Sequence, residues 1–200
     1  MDIQFPTKEY KGYIFDCDGT LADSMSMHYV AWRRALAQSG AKFDFSPECF
    51  QSVAGIGHEE TVEIFNEKFG EQLDPISVSE LKHHIYEELV DSIQPIPAVV
   101  AFAEAMINAG RLTSVASGGD REMVHRTLKA IGMDGRFPYV VTQNDVRRGK
   151  PDPEIFLLAA KQMGVAPEDC VVFEDSPNGL KAAELAGMDS VVIPETIIEL

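Results

Sequence analysis

The sequence predicts an α/β protein with a doubly wound parallel sheet and a small α-helical cap inserted after the first strand. Two observations support this fold class. From about residue 95 onward, short β-branched runs alternate with longer amphipathic stretches, and this alternation is typical of a parallel sheet with right-handed crossovers. The segment from about 25 to 92 breaks the alternation, because it has several helical patterns and no convincing strand.

Each predicted strand is a short apolar run of the kind found in strands buried on both faces. The five runs are residues 12–16, 112–117, 139–142, 170–174 and 190–193. Four helical stretches alternate with the later strands, and each of them is followed by a glycine, the usual helix-ending residue. These helices are predicted at 98–109, 120–131, 153–163 and 178–186.

The helical interruption divides the chain into two predicted units. Residues 1–24 and 93–200 form the core, and residues 25–92 form the cap. Two connections join them, near Ser24 and near residues 94–97, and we expect both to act as hinges because prolines fix the return path while short loops absorb rotation. The cap helices are predicted at 25–38, 47–53, 58–69 and 78–93.

Composition and charge exclude several classes of protein. The chain has 32 acidic and 17 basic side chains, a net charge of −15, whereas nucleic-acid binding needs clustered Lys and Arg. No apolar run is long enough to span a membrane, and the N-terminus lacks the order of a signal peptide. Three scattered cysteines form neither a disulfide framework nor a zinc site. We therefore expect a cytoplasmic protein without nucleic-acid or membrane partners; its oligomeric state is open, and a monomer is compatible with the sequence.

Polar residues and glycines end or follow four of the predicted strands. In open α/β sheets, ligands bind beyond the carboxyl ends of the strands, so these residues are expected at one rim. The candidate residues are Asp16, Asp18, Thr20, Ser117, Gly118, Lys150, Glu174 and Asp175.

The acidic members of this set predict a metal site. Asp16 and Asp18 are two residues apart on an extended chain, so their carboxylates face the same side. Two like charges so close are costly unless a cation neutralises them. Glu174 and Asp175 from a neighbouring strand end can complete an oxygen shell of the kind that Mg²⁺ prefers.

Groups of the opposite polarity follow the other strand ends. Lys150 supplies a cation, Ser117 supplies a hydroxyl, and the turn at Gly118 supplies backbone N–H groups at a helix start. A metal, a cation and a hydroxyl together are suited to binding a phosphoryl group. A lone Asp-x-Asp is more often a solvated turn, but four motifs at four strand ends argue against that interpretation.

Four motifs, taken in chain order, resemble those of the haloacid dehalogenase-type phosphohydrolase superfamily: Asp16-x-Asp18-x-Thr20-Leu21, Ser117, Lys150 and Glu174-Asp175. The helical insert resembles the small cap of the β-phosphoglucomutase-like branch of that superfamily. The core also resembles small fructose-1-phosphate phosphatase-like proteins.

The resemblance implies Mg²⁺-dependent hydrolysis of a small phosphate monoester, a sugar phosphate such as fructose-1-phosphate, through an aspartyl-phosphate intermediate. Asp16 would be the nucleophile, and Asp18 would be the general acid and then the general base. The metal would be bound by Asp16, the main-chain carbonyl of Asp18 and Asp175, with Glu174 in or just behind its shell. Lys150 and Ser117 would stabilise the phosphoryl charge. The substrate-binding residues implied are Thr20, Ser117, Gly118, Lys150, His28 and His58.

Two other classes of function stay open. A non-catalytic protein that keeps the fold and binds a ligand is disfavoured, because every catalytic position is intact. A β-phosphoglucomutase-type phosphotransferase needs a strong grip on the phosphate that is not transferred, and in the family an arginine of the cap supplies it through a bidentate fork. His58 stands at the matching position here and cannot reproduce the fork, which favours a phosphatase. Lys82 in the last cap helix is the residue that could compensate.

Overall fold

In the computed structural model of the protein, residues 3–194 are described. Its strands, in chain order, are β1 (Gly12–Phe15), β2 (Ala22–Asp23), β3 (Gln94–Pro95), β4 (Leu112–Ala116), β5 (Tyr139–Val141), β6 (Cys170–Glu174) and β7 (Asp189–Val192). Its α-helices are α1 (Met25–Gln38), α2 (Pro47–Gln51), α3 (His58–Phe69), α4 (Pro75–Glu87), α5 (Pro97–Asn108), α6 (Arg121–Ala130), α7 (Glu154–Met163) and α8 (Pro177–Leu185).

Five of the strands form one sheet in the order β5-β4-β1-β6-β7. Every neighbouring pair in it is parallel. Helices α5 and α6 contribute to the apolar cluster on one face, and α7 and α8 contribute to the cluster on the other. The predicted fold class, a doubly wound parallel sheet with a helical insert, is therefore confirmed.

The central strand β1 shows why the sheet is buried on both faces. Successive side chains of a strand point to opposite faces, so Tyr13 and Phe15 enter one apolar cluster while Ile14 enters the other. Phe15 stacks on Phe173 of β6 with ring centroids 4.5 Å apart. Ile14 shares its cluster with Phe156 of α7. This double burial fixes β1, and with it the loop that follows its carboxyl end.

Helix caps account for most boundary differences from the predicted elements. Asp120 accepts a hydrogen bond from the backbone N–H of Met123, so it is the N-cap of α6 rather than its first residue. Asp74 caps α4 in the same way and Pro75 follows it, which starts this helix three residues earlier than predicted. The same helix ends at Glu87, and the remainder of the predicted stretch is a short 3₁₀ turn at Val90–Ser92.

Two short strands join the helical insert to the sheet. β2 and β3 pair antiparallel, with Ala22 opposite Pro95 and Asp23 opposite Gln94. The two connections that the sequence predicts as hinges therefore run side by side. Neither strand is predicted from the sequence, because a two-residue strand shows no periodicity.

The insert also contacts the sheet layer through α4 and α6. The hydroxyl of Tyr86 lies 2.9 Å from that of Thr127, and Arg126 forms an ion pair with Glu87 at 2.8 Å. The buried aromatic residues of the insert belong to the same apolar cluster as the α5–α6 face of the sheet. None of the described helices has the length and apolar character that a bilayer span requires.

Candidate active site

The carboxyl ends of β1, β4 and β6 open onto a cavity that the helical insert covers. Its floor carries carboxylates and hydroxyls from the sheet, and its wall is largely apolar. The apolar side chains belong to Met25, Trp32, Phe50, Val53, Ile56 and Met123.

A buried lysine lies among carboxylates on this floor. The Nζ atom of Lys150 lies 2.6 Å from Oδ1 of Asp16 and 3.4 Å from Oε1 of Glu174. Burial opposes the charge of Lys150, but the two carboxylates outweigh it and raise the pKa of the amine above its usual value. We call Asp16, Lys150, Glu174 and Asp175 the carboxylate rim.

Burial also governs the acids of the carboxylate rim. It raises the pKa of Asp16 well above its usual value, and the nearby charge of Glu174 adds to the shift while Lys150 opposes it. Burial and Glu174 raise the pKa of Asp175 in the same way. Both shifts mean that burial and the neighbouring carboxylate disfavour the ionised forms of these acids, a cost that a bound cation would offset.

The carboxylate rim fits a divalent metal. Oxygen atoms of Asp16, Glu174 and Asp175 all lie within 4.8 Å of one another. Oε2 of Glu174 is buried and has no hydrogen-bond partner among the described residues, which is costly unless a ligand satisfies it. Three carboxylates with one amine leave two negative charges, and an all-oxygen donor set suits Mg²⁺.

Two neighbours hold Asp175 in place. The hydroxyl of Thr20 donates to Oδ1 of Asp175 at 3.0 Å, and Thr20 is fully buried behind the cavity. A Cβ atom at Gly19 would lie 2.1 Å from Oδ2 of Asp175, and Gly19 has a φ of +82°. Only glycine is compatible with both the close approach and the left-handed backbone.

The start of α8 orients Glu174. Ser176 donates a short hydrogen bond to Oε1 of Glu174, and the same hydroxyl accepts from the backbone N–H of Gly179 as the N-cap of α8. A Cβ atom at Gly179 would overlap Oε1 of Glu174, at 1.5 Å. Sequence reasoning missed Ser176, although a serine before Pro177 is a recognisable helix-start signal.

The carboxylate of Asp18 faces the insert instead of the carboxylate rim. Its Oδ1 accepts from Ser24 at 2.6 Å and from Tyr86 at 3.4 Å. Nε2 of His28 lies 3.0 Å from the same oxygen, although the angle is too poor for a well-formed hydrogen bond. Burial opposes the charge of Asp18, but His28 and Ser24 outweigh it and hold its pKa below the usual value. The carboxylates of Asp16 and Asp18 therefore line the same cavity but have different surroundings.

The loop after β4 brings backbone against the insert. Ser117 is buried, and its hydroxyl accepts from the backbone N–H of Gly119 at 3.1 Å. A Cβ atom at Gly118 would lie 2.5 Å from the carbonyl oxygen of Gly55. Ser117 and Gly118 both line the cavity, so the core loop and the insert touch there through main-chain atoms.

A second buried lysine lies among histidines of the insert. Nζ of Lys82 is 2.9 Å from Nδ1 of His28 and 2.9 Å from Nε2 of His58. Burial lowers the pKa of Lys82 to about 8. Burial, reinforced by Lys82, lowers the pKa of His28 and lowers that of His58 well below its usual value. We call these three residues the histidine–lysine cluster.

The structure brings most of the predicted site residues to one cavity. Two of them lie behind its surface: Lys150 is buried against Asp16, and Thr20 is buried against Asp175. Besides Ser176, sequence reasoning missed Tyr86, which follows Lys82 by four positions on one helix face. The predicted residues that line the cavity are Asp16, Asp18, Ser117, Gly118, Glu174, Asp175, His28 and His58.

Comparison with known proteins agrees with this geometry. Residues 10–187 match the haloacid dehalogenase-like hydrolase family. The chain is 34% identical to the fructose-1-phosphate phosphatase YqaB of Escherichia coli, over 92% of this chain and 96% of that protein. It is 31% identical to a phosphorylated carbohydrates phosphatase of Thermotoga maritima, over 89% and 82% of the two chains. Among solved structures it is similar to β-phosphoglucomutase of Clostridium difficile, with a TM-score of 0.81, 25% identity, and coverage of 90% and 83%.

Proposed function

The chain belongs to the haloacid dehalogenase-like hydrolase family and is a phosphatase, and we propose that it hydrolyses a small sugar phosphate such as fructose-1-phosphate through an aspartyl-phosphate intermediate. One observation carries the proposal. Two carboxylates, Asp16 and Asp18, line a single cavity, but Lys150 of the core holds the first, whereas the second accepts from Ser24 and faces His28 of the insert. Two acids in such different settings can take two different roles.

Asp16 is the nucleophile in this proposal. Its carboxylate attacks phosphorus, and the bond to the leaving sugar oxygen breaks. Lys150 is in contact with Oδ1 of Asp16, so it fixes the orientation of the carboxylate and balances negative charge at the moment of attack. Ser117 and the N–H groups of the turn at Gly118 stabilise the remaining charge on the phosphoryl oxygens through hydrogen bonds. Because these donors are already in position, they need no reorganisation during the reaction.

Asp18 exchanges the protons. It protonates the leaving oxygen and later removes a proton from the water that hydrolyses the aspartyl-phosphate. The low pKa of Asp18 favours its ionised form, which is the form that the second step requires. For the first step, the negative charge of an arriving phosphate beside Asp18 favours uptake of a proton.

Mg²⁺ is the cofactor that we propose for the carboxylate rim. Asp16, Asp175 and the main-chain carbonyl of Asp18 would hold it, with Glu174 as a direct ligand through Oε2 or just behind. When bound, the ion would neutralise charge on the phosphoryl oxygens. The excess of carboxylates over lysine and the unpartnered Oε2 atom support this assignment, and Thr20 would serve by holding Asp175.

We propose that the chain has two units, as the sequence predicts: a core of residues 1–24 and 93–200, and a cap of residues 25–92. We propose that the cap moves about the paired strands β2 and β3. The partner is a small phosphorylated metabolite. A cytoplasmic location is consistent with three buried, free cysteines.

A β-phosphoglucomutase-type phosphotransferase is the second candidate, and the likeness to a solved mutase favours it. Against it, no arginine or lysine occurs among the described residues that line the cavity. A mutase must hold a second phosphate, and half-buried His58 is a weak partner for two negative charges.

The test gives the purified protein a panel of sugar phosphates with Mg²⁺ and measures free phosphate. We expect release from fructose-1-phosphate and from few of the others. Asp18→Asn should release one equivalent of phenol from an activated aryl phosphate and then stop, while Asp44→Asn, at an exposed aspartate of the insert, should turn over normally. Stoichiometric conversion of β-glucose-1-phosphate to glucose-6-phosphate, with little free phosphate, would establish the mutase instead.

A further inference from the structure

The chemistry of Lys82 decides where the two histidines carry their protons. A protonated lysine has three N–H donors and no acceptor. Lys82 lies at hydrogen-bond distance from Nδ1 of His28 and from Nε2 of His58, so each of these ring nitrogens must offer a lone pair. The proton of His28 is therefore on Nε2, and the proton of His58 is on Nδ1.

The protonation states required by this argument agree with the surroundings. With a pKa of about 8, Lys82 is still mostly an ammonium at neutral pH. Burial and the adjacent ammonium lower the pKa of His58 and favour its neutral ring, and for His28 the neutral ring follows from the contact of its Nδ1 with Nζ of Lys82. Nε2 of His28 lies 3.0 Å from Oδ1 of Asp18; the angle is poor for a hydrogen bond, but a carboxylate at that distance favours an N–H over a lone pair on Nε2.

The other nitrogen of His58 is available to a ligand. His58 lines the cavity, and among the described residues its ring has one hydrogen-bond contact, from Nε2 to Lys82. The ring stands edge-on to Trp32, with centroids 5.6 Å apart and planes at 88°. Lys82 on one side and Trp32 on another restrict the ring, which is the condition for a donor of fixed direction.

We propose that Lys82 is a positioning residue that fixes the tautomers of His28 and His58, so that His58 presents an Nδ1–H donor to an oxygen atom of the substrate. This inference rests on the proposed phosphatase function. It deepens that function by defining the substrate beyond its reacting phosphate.

The donor selects for a neutral oxygen. A hydroxyl, ring or carbonyl oxygen of a sugar or polyol accepts one hydrogen bond from a neutral imidazole without a charge to balance. A second phosphate brings up to two negative charges, and none of the described cavity-lining residues is lysine or arginine. The substrate class is therefore a sugar or polyol with a single phosphate.

The direct test is ¹⁵N NMR of the histidine rings in the whole protein at neutral pH. We expect a pyrrole-type signal for Nδ1 and a pyridine-type signal for Nε2 of His58, and the reverse for His28. His58→Gln and His28→Gln assign the signals. Averaged or opposite tautomers in the unmodified protein overturn the proposal. This measurement needs no enzymatic activity, so its result does not depend on whether the proposed function is correct.

Variants at Lys82 test the link from the lysine to the histidines. Lys82→Met removes the donor while keeping the side-chain length, and we expect the tautomers to become mixed. Lys82→Arg keeps N–H donors and should restore part of the fixed signals. Lys68→Met, at an exposed lysine of α3, should change nothing. Unchanged tautomers in folded Lys82→Met would overturn the role given to Lys82.

Kinetics separate positioning from a general structural role. In Lys82→Met we expect KM for fructose-1-phosphate to rise by about five- to tenfold, the size of one neutral hydrogen bond. The rate of phenol release in the first turnover of an activated aryl phosphate, which offers no hydroxyl and needs no proton from Asp18, should stay within about twofold of the unmodified protein. Equal losses on both substrates would mean that Lys82 only supports the fold.

Discussion

Lys150 of the carboxylate rim and Lys82 of the histidine–lysine cluster are both fully buried beside the same cavity, but they have different partners. Lys150 contacts carboxylates, and its pKa is raised. Lys82 contacts neutral imidazole rings, and its pKa is lowered to about 8. The first lysine is stabilised by opposite charge, whereas the second is held by hydrogen bonds at an electrostatic cost. The comparison shows that the same type of side chain can balance charge among carboxylates and act as a hydrogen-bond donor among histidines.

The largest expected effect concerns the rim. Asp16→Asn should reduce turnover by several orders of magnitude, because the amide is nearly isosteric but cannot form the covalent intermediate. The fold should be kept, since Lys150 retains Glu174 as a partner. Phosphate release and circular dichroism measured together check both expectations. Activity within tenfold of the unmodified protein would show that Asp16 is not the nucleophile.

Removal of the metal should abolish activity through its effect on the carboxylate rim. Exhaustive treatment with EDTA should abolish phosphate release, and addition of Mg²⁺ should restore it. Ca²⁺ is larger and more loosely coordinated, so it should substitute poorly. Phosphate release after each addition measures the effect, and full activity in the chelated protein would contradict the metal site. The histidine signals of the cap should not move by comparison, because the histidine–lysine cluster includes none of the three rim carboxylates.

The free energy of unfolding should also distinguish the two lysines. Lys150→Met leaves buried carboxylates without their cation, and breaking a buried ion pair costs about 3–5 kcal/mol. Lys82→Met leaves two neutral rings, so its cost in the free energy of unfolding should be much smaller. Urea denaturation of both variants in metal-free buffer makes the comparison. Similar losses would mean that partner charge does not distinguish the two sites.

The smallest expected effect is a pH dependence. The pKa of Lys82 is about 8 in the folded protein, below the ordinary 10.5. The unfolded chain therefore binds more protons between these values, and the contribution of Lys82 to stability rises with pH across that window. The free energy of unfolding should accordingly increase from pH 8 to pH 10 relative to the Lys82→Met variant. A constant difference between the two proteins would be inconsistent with a depressed pKa.

The carboxylate rim could be predicted from the sequence because its residues follow strand ends. Each strand has a clear apolar run, and the carboxyl ends of parallel strands meet at one edge. Asp16, Glu174 and Asp175 are therefore predicted together from the sequence alone. Their catalytic roles stay predictions until the variants are measured.

The histidine–lysine cluster could not be predicted in the same way. His28, His58 and Lys82 lie on three different helices, and helical periodicity gives the buried face of each helix without the packing between them. The contacts of Lys82 depend on how α1, α3 and α4 cross. The two-residue strands β2 and β3 could not be predicted for a related reason. Their pairing is a long-range contact that leaves no local pattern in the sequence.

The main-chain contact between Gly118 and Gly55 has a consequence for redesign of this enzyme. Since neither residue has a side chain to shorten, a library cannot widen the cavity on that side, and any added methyl group at Gly118 would meet a carbonyl oxygen at 2.5 Å. Room for a bulkier substrate has to come from the apolar wall, where Phe50 and Val53 can be trimmed. Selections for larger phosphate esters should therefore enrich changes at those two positions and leave both glycines untouched.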